Sequence, residues 1–327
     1  MYTHPANIAT FVMPYYGDGT ASCRYLQESI DSIHAQTDQE WRLVIVDDGS
    51  PRNPERIREL PYRHHNRVFL LQQAENRGQG FCRNIGVRWA AEHGSGFVLF
   101  QDADDLAHPR RLELSRKLLA KHPEVDFVYS TFSVVDEIGQ PVPEEQLTPS
   151  IREILDSHRR SPVSGPNAWI RIGTDTGYTT LTSTVAVRTH LALEQPFPHV
   201  RSSEDSHTWL RMSAAGGSFA YLPAIPSRYR IPQDVAGSSD RSRIGPDYYR
   251  KKAEVDTDGF VIAIAIALDR ATIAPSDVPD LKAAFLRRLA HTMRREGQHG
   301  LAREILSPQY EPAMQNGQPI AATLRRE

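Results

Sequence analysis

Three short apolar runs break off abruptly into polar clusters, and this pattern limits the fold more than any other feature of the chain. Ile8–Met13 stops at Pro14-Tyr15-Tyr16, Leu43–Val46 at Asp47-Asp48-Gly49-Ser50, and Phe97–Phe100 at Gln101-Asp102-Ala103-Asp104-Asp105. Short continuous apolar runs without polar alternation read as strands covered on both faces. Helical spacing lies between them: Leu26, Ile30 and Ile33 within Tyr25–Ala35, then Phe81, Ile85, Val87 and Trp89 within Gly80–Glu92. Val68–Leu71 and Phe127–Ser133 add two strands, and Arg111–Leu119 adds a helix. Strands alternating with helices predict an α/β fold, a mostly parallel sheet with helices on both faces. Ligands of such sheets bind beyond the carboxyl ends of the strands, where all three polar clusters fall.

The second half is less regular. Pro141–Gly177 reads as a long excursion with one helix near Ile151–Arg159, and Thr180–Arg188 is β-branched and strand-like. Ser203–Ala215 has a helical pattern, with Ser202 or Ser203 as N-cap ahead of Glu204-Asp205. Ile231–Tyr248 is a polar loop rich in Gly, Ser and Pro, and Lys251–Ile305 is helical, broken near Pro275–Pro279.

Composition removes several classes of function. The 327 residues carry 38 Lys+Arg against 40 Asp+Glu, a net charge of −2, without the basic excess of a nucleic-acid binder. Cys23 and Cys82 are the only cysteines, too few for a disulfide framework or a structural zinc site, and they suit a reducing cytoplasm. The first residues lack a signal-peptide pattern, and the longest apolar run, Phe260–Leu268, is far shorter than the roughly 20 residues of a membrane-spanning helix. A cytoplasmic protein without a transmembrane segment is expected. HExxH, Gly-x-Ser-x-Gly and GxxxxGK[ST] motifs are absent, which argues against zinc hydrolases, α/β-hydrolases and P-loop NTPases.

Three carboxylates within Asp102–Asp105 repel one another unless a cation or hydrogen-bond donors compensate, and a hard divalent cation does so while leaving positions open for phosphate oxygens. A solvated turn with Asp capping the next helix is the plainer reading. Asp47-Asp48-Gly49-Ser50 by itself reads as an Asx-capped turn, common after strands, and its functional reading is a carboxylate that accepts hydrogen bonds from a base or sugar. In Asn76–Gly86, Gly78-x-Gly80 resembles a dinucleotide fingerprint, but Arg83 occupies the third glycine's place. A glycine turn feeding a helix there would set Arg83 and Asn84 to face anionic groups. Glu204-Asp205 at a helix start is favoured by the dipole in any case. The arginines between Arg287 and Arg303 read as a solvated helix face.

Taken in order, these motifs resemble those of the GT-A-fold, family 2 glycosyltransferases, over about Ile8 to Arg230. Pro14-Tyr15-Tyr16 matches the family's Pro-x-Tyr, and Val46–Ser50 its Val-Asp-Asp-Gly-Ser. Asn76–Gly86 matches Asn-x-Gly-x-x-x-Ala-Arg-Asn-x-Gly with Cys82 in the Ala position. Asp102–Asp105 matches the Asp-x-Asp-Asp motif, and Glu204-Asp205 with Trp209-Leu210-Arg211 the late Glu-Asp helix. Where many members carry Tyr-Arg-x-His, Tyr229-Arg230-Ile231 runs into Pro232, so no His stands there. The Gln-x-x-Arg-Trp motif of processive synthases is absent as well.

The resemblance implies an inverting transfer from a nucleotide-diphosphate sugar, UDP-linked, to an acceptor hydroxyl or amine. Pro14, Tyr16, Asp48, Arg83 and Asp102 would bind the nucleotide, with Tyr16 on the base and Arg83 assisting Asp48. Asp104, with Asp102, would hold Mn²⁺ or Mg²⁺; Asp205 would be the general base, and Glu204, Thr180 and Trp209 would support it or the acceptor. From its own residues, Ile231–Tyr248, with Gly237, Gly245, Ser238 and Ser239, reads either as an ordinary flexible connection or as a loop that orders over bound donor with Arg241 and Arg243 meeting the diphosphate. The expected division is residues 1–135 for the nucleotide-sugar half, 136–235 for the acceptor and catalytic half, and 236–327 for a flexible loop and helical extension. The acceptor stays open among a saccharide, a lipid-linked sugar and a small aglycone, free or carrier-tethered, and the sequence is compatible with a homodimer. The alternatives are a non-catalytic sugar-nucleotide-binding protein of the same fold and a nucleotidyltransferase, which would carry an early Gly-rich segment that is missing here.

Overall fold

The computed structural model describes residues 8–17, 19–51, 66–232 and 244–310. The apolar runs become strands β1 (Ala9–Tyr15), β2 (Trp41–Asp47), β3 (Val68–Gln72) and β4 (Phe97–Phe100). Every residue of β1 and β4 is buried, because helices cover both faces. Helices α1 (Thr20–His34) and α2 (Gln79–Glu92) cover opposite faces. On α1, Leu26, Ile30 and Ile33 bury one stripe against Phe11, Met13 and Leu43, whereas on α2 Val87 and Ala90 share a core with Val12 and Val44. The alternation along β1 sends Phe11 and Met13 one way and Val12 the other, so one strand serves both cores.

The chain continues through α3 (Arg111–Lys121), β5 (Val125–Val135) and α4 (Pro149–Arg160) to the short α5 (Ala168–Arg171). It then forms β6 (Ala186–Arg188), α6 (Thr189–Glu194), α7 (Glu204–Ala215) and β7 (Ser218–Arg230). The seven-stranded sheet has the order β3-β2-β1-β4-β6-β5-β7. Pairing is parallel except where β6 lies antiparallel to both β4 and β5. From β1 the chain adds strands on one side through β2 and β3 and on the other through β4. The carboxyl ends of β1, β2 and β4 therefore border one crevice, with Tyr15 in register with Asp47.

Two elements differ from expectation. Of Thr180–Arg188 only Ala186–Arg188 joins the sheet, and Thr182–Thr184 form a 3-10 turn. The hydroxyls there bind backbone instead of leaving it to a ladder: Thr184 Oγ1 donates to the Leu181 carbonyl at 2.7 Å, and Ser183 Oγ accepts the Asp102 N–H at 3.0 Å. Strand β7 was not anticipated, since Pro223 and Pro226 interrupt it. It is an edge strand, where prolines are tolerated, and its register against β5 shifts between Ser130 and Phe132.

Three helices follow: α8 (Tyr248–Asp269), α9 (Val278–Arg295) and α10 (His299–Ile305). Phe260, Ala263, Phe285, Leu289 and Met293 extend the core that begins on the sheet, and Phe260 stacks on Phe285 with centroids 4.2 Å apart. His207 on α7 bonds Asp258 on α8 at 2.9 Å. Among the described residues no helix is long and apolar enough to cross a membrane.

Candidate active site

The first wall of the crevice is held by backbone bonds to carboxylates. Asp48 is buried, and its Oδ1 and Oδ2 accept the N–H groups of Arg77 at 2.7 Å and Gly78 at 2.9 Å. Gly49 lies at φ +70°, and a Cβ there would stand 2.7 Å from the Glu75 carbonyl carbon, so only glycine lets the two loops meet. Asp47 accepts the Ser50 N–H and hydroxyl, while Ser50 Oγ accepts the Gly17 N–H at 2.8 Å, which ties the end of β2 to that of β1. Pro14 is buried in β1, whereas Tyr16 is 46% exposed, a large flat surface at the mouth.

The second wall is the turn after β4. Asp102 keeps 24% of its side chain exposed, and Asp104 is partly exposed. Asp105 is fully buried, and its Oδ1 accepts the Arg230 N–H at 2.9 Å. Burial, then the charges of Asp104 and Asp102, push its carboxyl well above the usual range. Arg230, at the end of β7, also donates to the Asp104 carbonyl at 2.9 Å and to Glu28 at 2.6 Å, locking the turn from behind.

The third wall is the start of α7. Ser203 takes the N-cap position but does not cap: its backbone is left-handed at φ 57°, and its hydroxyl accepts from Lys252. Glu204 is buried and accepts from Arg83 at 2.6 Å and Gln79 at 2.7 Å. Asp205 is partly exposed, with Oδ1 accepting the Ser206 N–H at 2.7 Å and Oδ2 accepting the Thr182 hydroxyl at 3.3 Å. It opens into a cleft of about 280 Å³ lined also by Ile172, Tyr178, Thr180 and Trp209. Trp209 is the cleft's rigid floor, buried among Phe100, Phe127 and Phe197.

Arg83 joins the second and third walls. Expected beside Asp48, it instead donates to Asp102 Oδ1 at 2.7 Å and Glu204 Oε1 at 2.6 Å, with 1% of its side chain exposed. Both terminal nitrogens are thus engaged within the protein. Burial alone would lower its pKa, but the two carboxylates more than offset this and raise it. The anionic groups this arginine faces are the chain's own.

Oxygen donors from Asp102 and Asp104 at an open turn suit a hard divalent cation. Among the described residues no group of three or more His, Cys, Asp or Glu is placed to hold one. Arg241 and Arg243 lie outside the described residues. Sequence reading missed Gln79, Thr182, Ser183 and Lys252. Lys252 carried one usable signal, its i,i+4 spacing to Asp256 on a helix.

The family model described as glycosyl transferase family 2 matches residues 10–180. The putative glycosyltransferase EpsE of Bacillus subtilis is 30% identical over 227 residues, covering 68% of this chain and 74% of EpsE. Among solved structures, S. aureus TarS 1–349 in complex with UDP-GlcNAc is similar with a TM-score of 0.57 at 19% identity, covering 91% of this chain and 90% of that one. The mannosyltransferase PcManGT from Pyrobaculum calidifontis, in complex with GDP-Man and Mn²⁺, matches with a TM-score of 0.54 at 18% identity, covering 97% and 78%. A mostly parallel sheet with its carboxylates at the strand ends, and a family model spanning β1 to Thr180, lead to one assignment: the chain belongs to glycosyl transferase family 2, with a GT-A fold.

Proposed function

We propose that the chain is an inverting glycosyltransferase in which an acceptor hydroxyl or amine, deprotonated by Asp205, attacks the anomeric carbon of a UDP-sugar directly and UDP leaves. The observation that carries this reading is the Arg83 bridge, which fixes Asp102 and the start of α7 around one crevice. The UDP-GlcNAc complex of TarS supports a uridine donor, and the Mn²⁺ in PcManGT supports a metal.

Each wall then has its own task. Tyr16 offers its exposed ring to the base, and Asp48 holds the loop whose backbone borders it. Asp102 and Asp104 would hold Mn²⁺ or Mg²⁺, which when bound supplies positive charge to a diphosphate leaving group. Asp205 accepts the acceptor proton, and the N–H of Ser206 and hydroxyl of Thr182 keep its carboxylate aimed. Glu204 cannot share that task while Arg83 and Gln79 hold it buried; it orients. Thr180 and Tyr178 border the acceptor side.

The test is UDP release from UDP-GlcNAc, UDP-glucose and UDP-galactose, with and without candidate acceptors, followed by mass spectrometry. EDTA is expected to suppress turnover and Mn²⁺ or Mg²⁺ to restore it, with Asp104→Ala inactive in either. Full activity in chelator would remove the metal. UDP binding without turnover under every condition would favour a non-catalytic binding protein.

A further inference from the structure

Lys252 lies on α8, beyond the residues 10–180 that the family model spans. Its side chain is 14% exposed, and its ammonium donates to Ser203 Oγ at 2.8 Å. It stands 3.7 Å from Asp256 Oδ2 and 3.8 Å from the centroid of the Tyr178 ring. The Tyr178 hydroxyl donates to the same Asp256 oxygen, so the three side chains form one cluster. Burial by itself disfavours the lysine's charge, and Asp256, followed by Tyr178, offsets this and holds it well above the usual range.

The contacts of this ammonium reach the Asp205 cleft from two sides of the sequence: Tyr178 lines the cleft, and Ser203 immediately precedes Glu204-Asp205. Ser203 is a non-glycine residue at φ 57° and ψ 17°. Such a conformation is strained for a residue with a side chain and persists only where the surroundings enforce it. Its hydroxyl would ordinarily cap the helix; here it is turned to Lys252. The Asp205 carboxylate is held locally by Ser206 and Thr182, so the direction in which α7 starts decides where it stands.

We propose that Lys252 is a positioning residue: by holding Ser203 in its left-handed conformation and packing on Tyr178, it sets the place of Asp205 and couples the C-terminal helices to the base. This rests on the reading of Asp205 as base.

The test uses the full chain with UDP-GlcNAc and Mn²⁺. Ser203→Ala removes the hydroxyl while leaving the Lys252–Asp256 pair to support the fold; Lys252→Met removes the ammonium, and Lys252→Arg restores a donor. Small displacements of a reacting group can cost about 100-fold, so Ser203→Ala and Lys252→Met are each expected to lower kcat for UDP release by about 10–100-fold. Donor KM and UDP affinity should stay within about twofold, Lys252→Arg should recover part of the loss, and the double variant should lose little more than either single. Near-wild-type kcat in Ser203→Ala, fully additive losses, or UDP affinity falling with kcat would each overturn the proposal. A crystal structure of Ser203→Ala gives a readout independent of turnover. Residue 203 leaving the left-handed region, with Asp205 parted from Thr182, supports the proposal, and both unchanged overturns it. A wild type that releases no UDP overturns the glycosyl-transfer reading alone, and the crystal structure then decides the positioning claim.

Discussion

Arg83 and Glu204 meet at 2.6 Å with 1% and 2% of their side chains exposed, so the helix after the glycine turn is clamped to the helix that begins with Glu204-Asp205. Removing one partner of such a buried pair strands the other's charge, at a cost of about 3–5 kcal/mol. Arg83→Met is expected to lose stability of that order, because Asp102 is stranded as well. Glu204→Gln should lose less, since Arg83 keeps Asp102. Urea denaturation of the two variants checks the order; equal stability of Arg83→Met and wild type would contradict the clamp.

Asp48 spends both oxygens on the Arg77 and Gly78 N–H groups, so Asp48→Asn keeps one acceptor and turns an amide hydrogen toward a backbone N–H. A buried group left unsatisfied costs about 1–3 kcal/mol. Calorimetry with UDP should show affinity falling at least about tenfold as the loop loosens, a factor that corresponds to about 1.4 kcal/mol. Unchanged affinity in a folded variant would remove Asp48 from the nucleotide site.

His207 gives the chain a pH dependence of definite sign. Its Nδ1 accepts from Arg211 Nε at 3.0 Å, so Nε2 carries the hydrogen given to Asp258. Burial and then the charge of Arg211 lower its pKa to about 4. The unfolded chain protonates this histidine near its ordinary value of about 6.5, so the unfolded state binds more protons between the two values, and stability falls as pH drops through that window. From pH 7 to pH 5 this amounts to about 2 kcal/mol. Asp105 and Asp256, whose carboxyls are raised by burial, act with the opposite sign. The comparison is therefore with His207→Gln: wild type should lose about 2 kcal/mol more between pH 7 and pH 5. Parallel curves would contradict the buried neutral histidine.

The first half of the sheet was legible because each of its strands is a continuous apolar run and the strand ends are short local motifs. β4 ends at Phe100 as read from sequence, whereas β1 and β2 run on to Tyr15 and Asp47, past the Met13 and Val46 where the apolar runs stop. The partner of Arg83 was not legible: Glu204 lies 121 residues away, and nothing local distinguishes a helix-capping carboxylate from a buried one. β7 escaped because Pro223 and Pro226 are acceptable only on an edge strand, a property of sheet order rather than of sequence. Ser203 read as an ordinary cap, since the group that engages its hydroxyl, Lys252, lies 49 residues downstream.

The central claim is that Asp205, not Glu204, takes the acceptor's proton. The most direct measurement compares UDP release and UDP affinity in Asp205→Asn, Glu204→Gln and wild type. Loss of a general base costs about 10²–10⁴ in rate. The account predicts a loss of that size in Asp205→Asn with UDP affinity intact, because the nucleotide is held at Tyr16 and Asp48. Glu204→Gln should combine a smaller rate loss with lower stability. Near-wild-type turnover in Asp205→Asn would contradict the account.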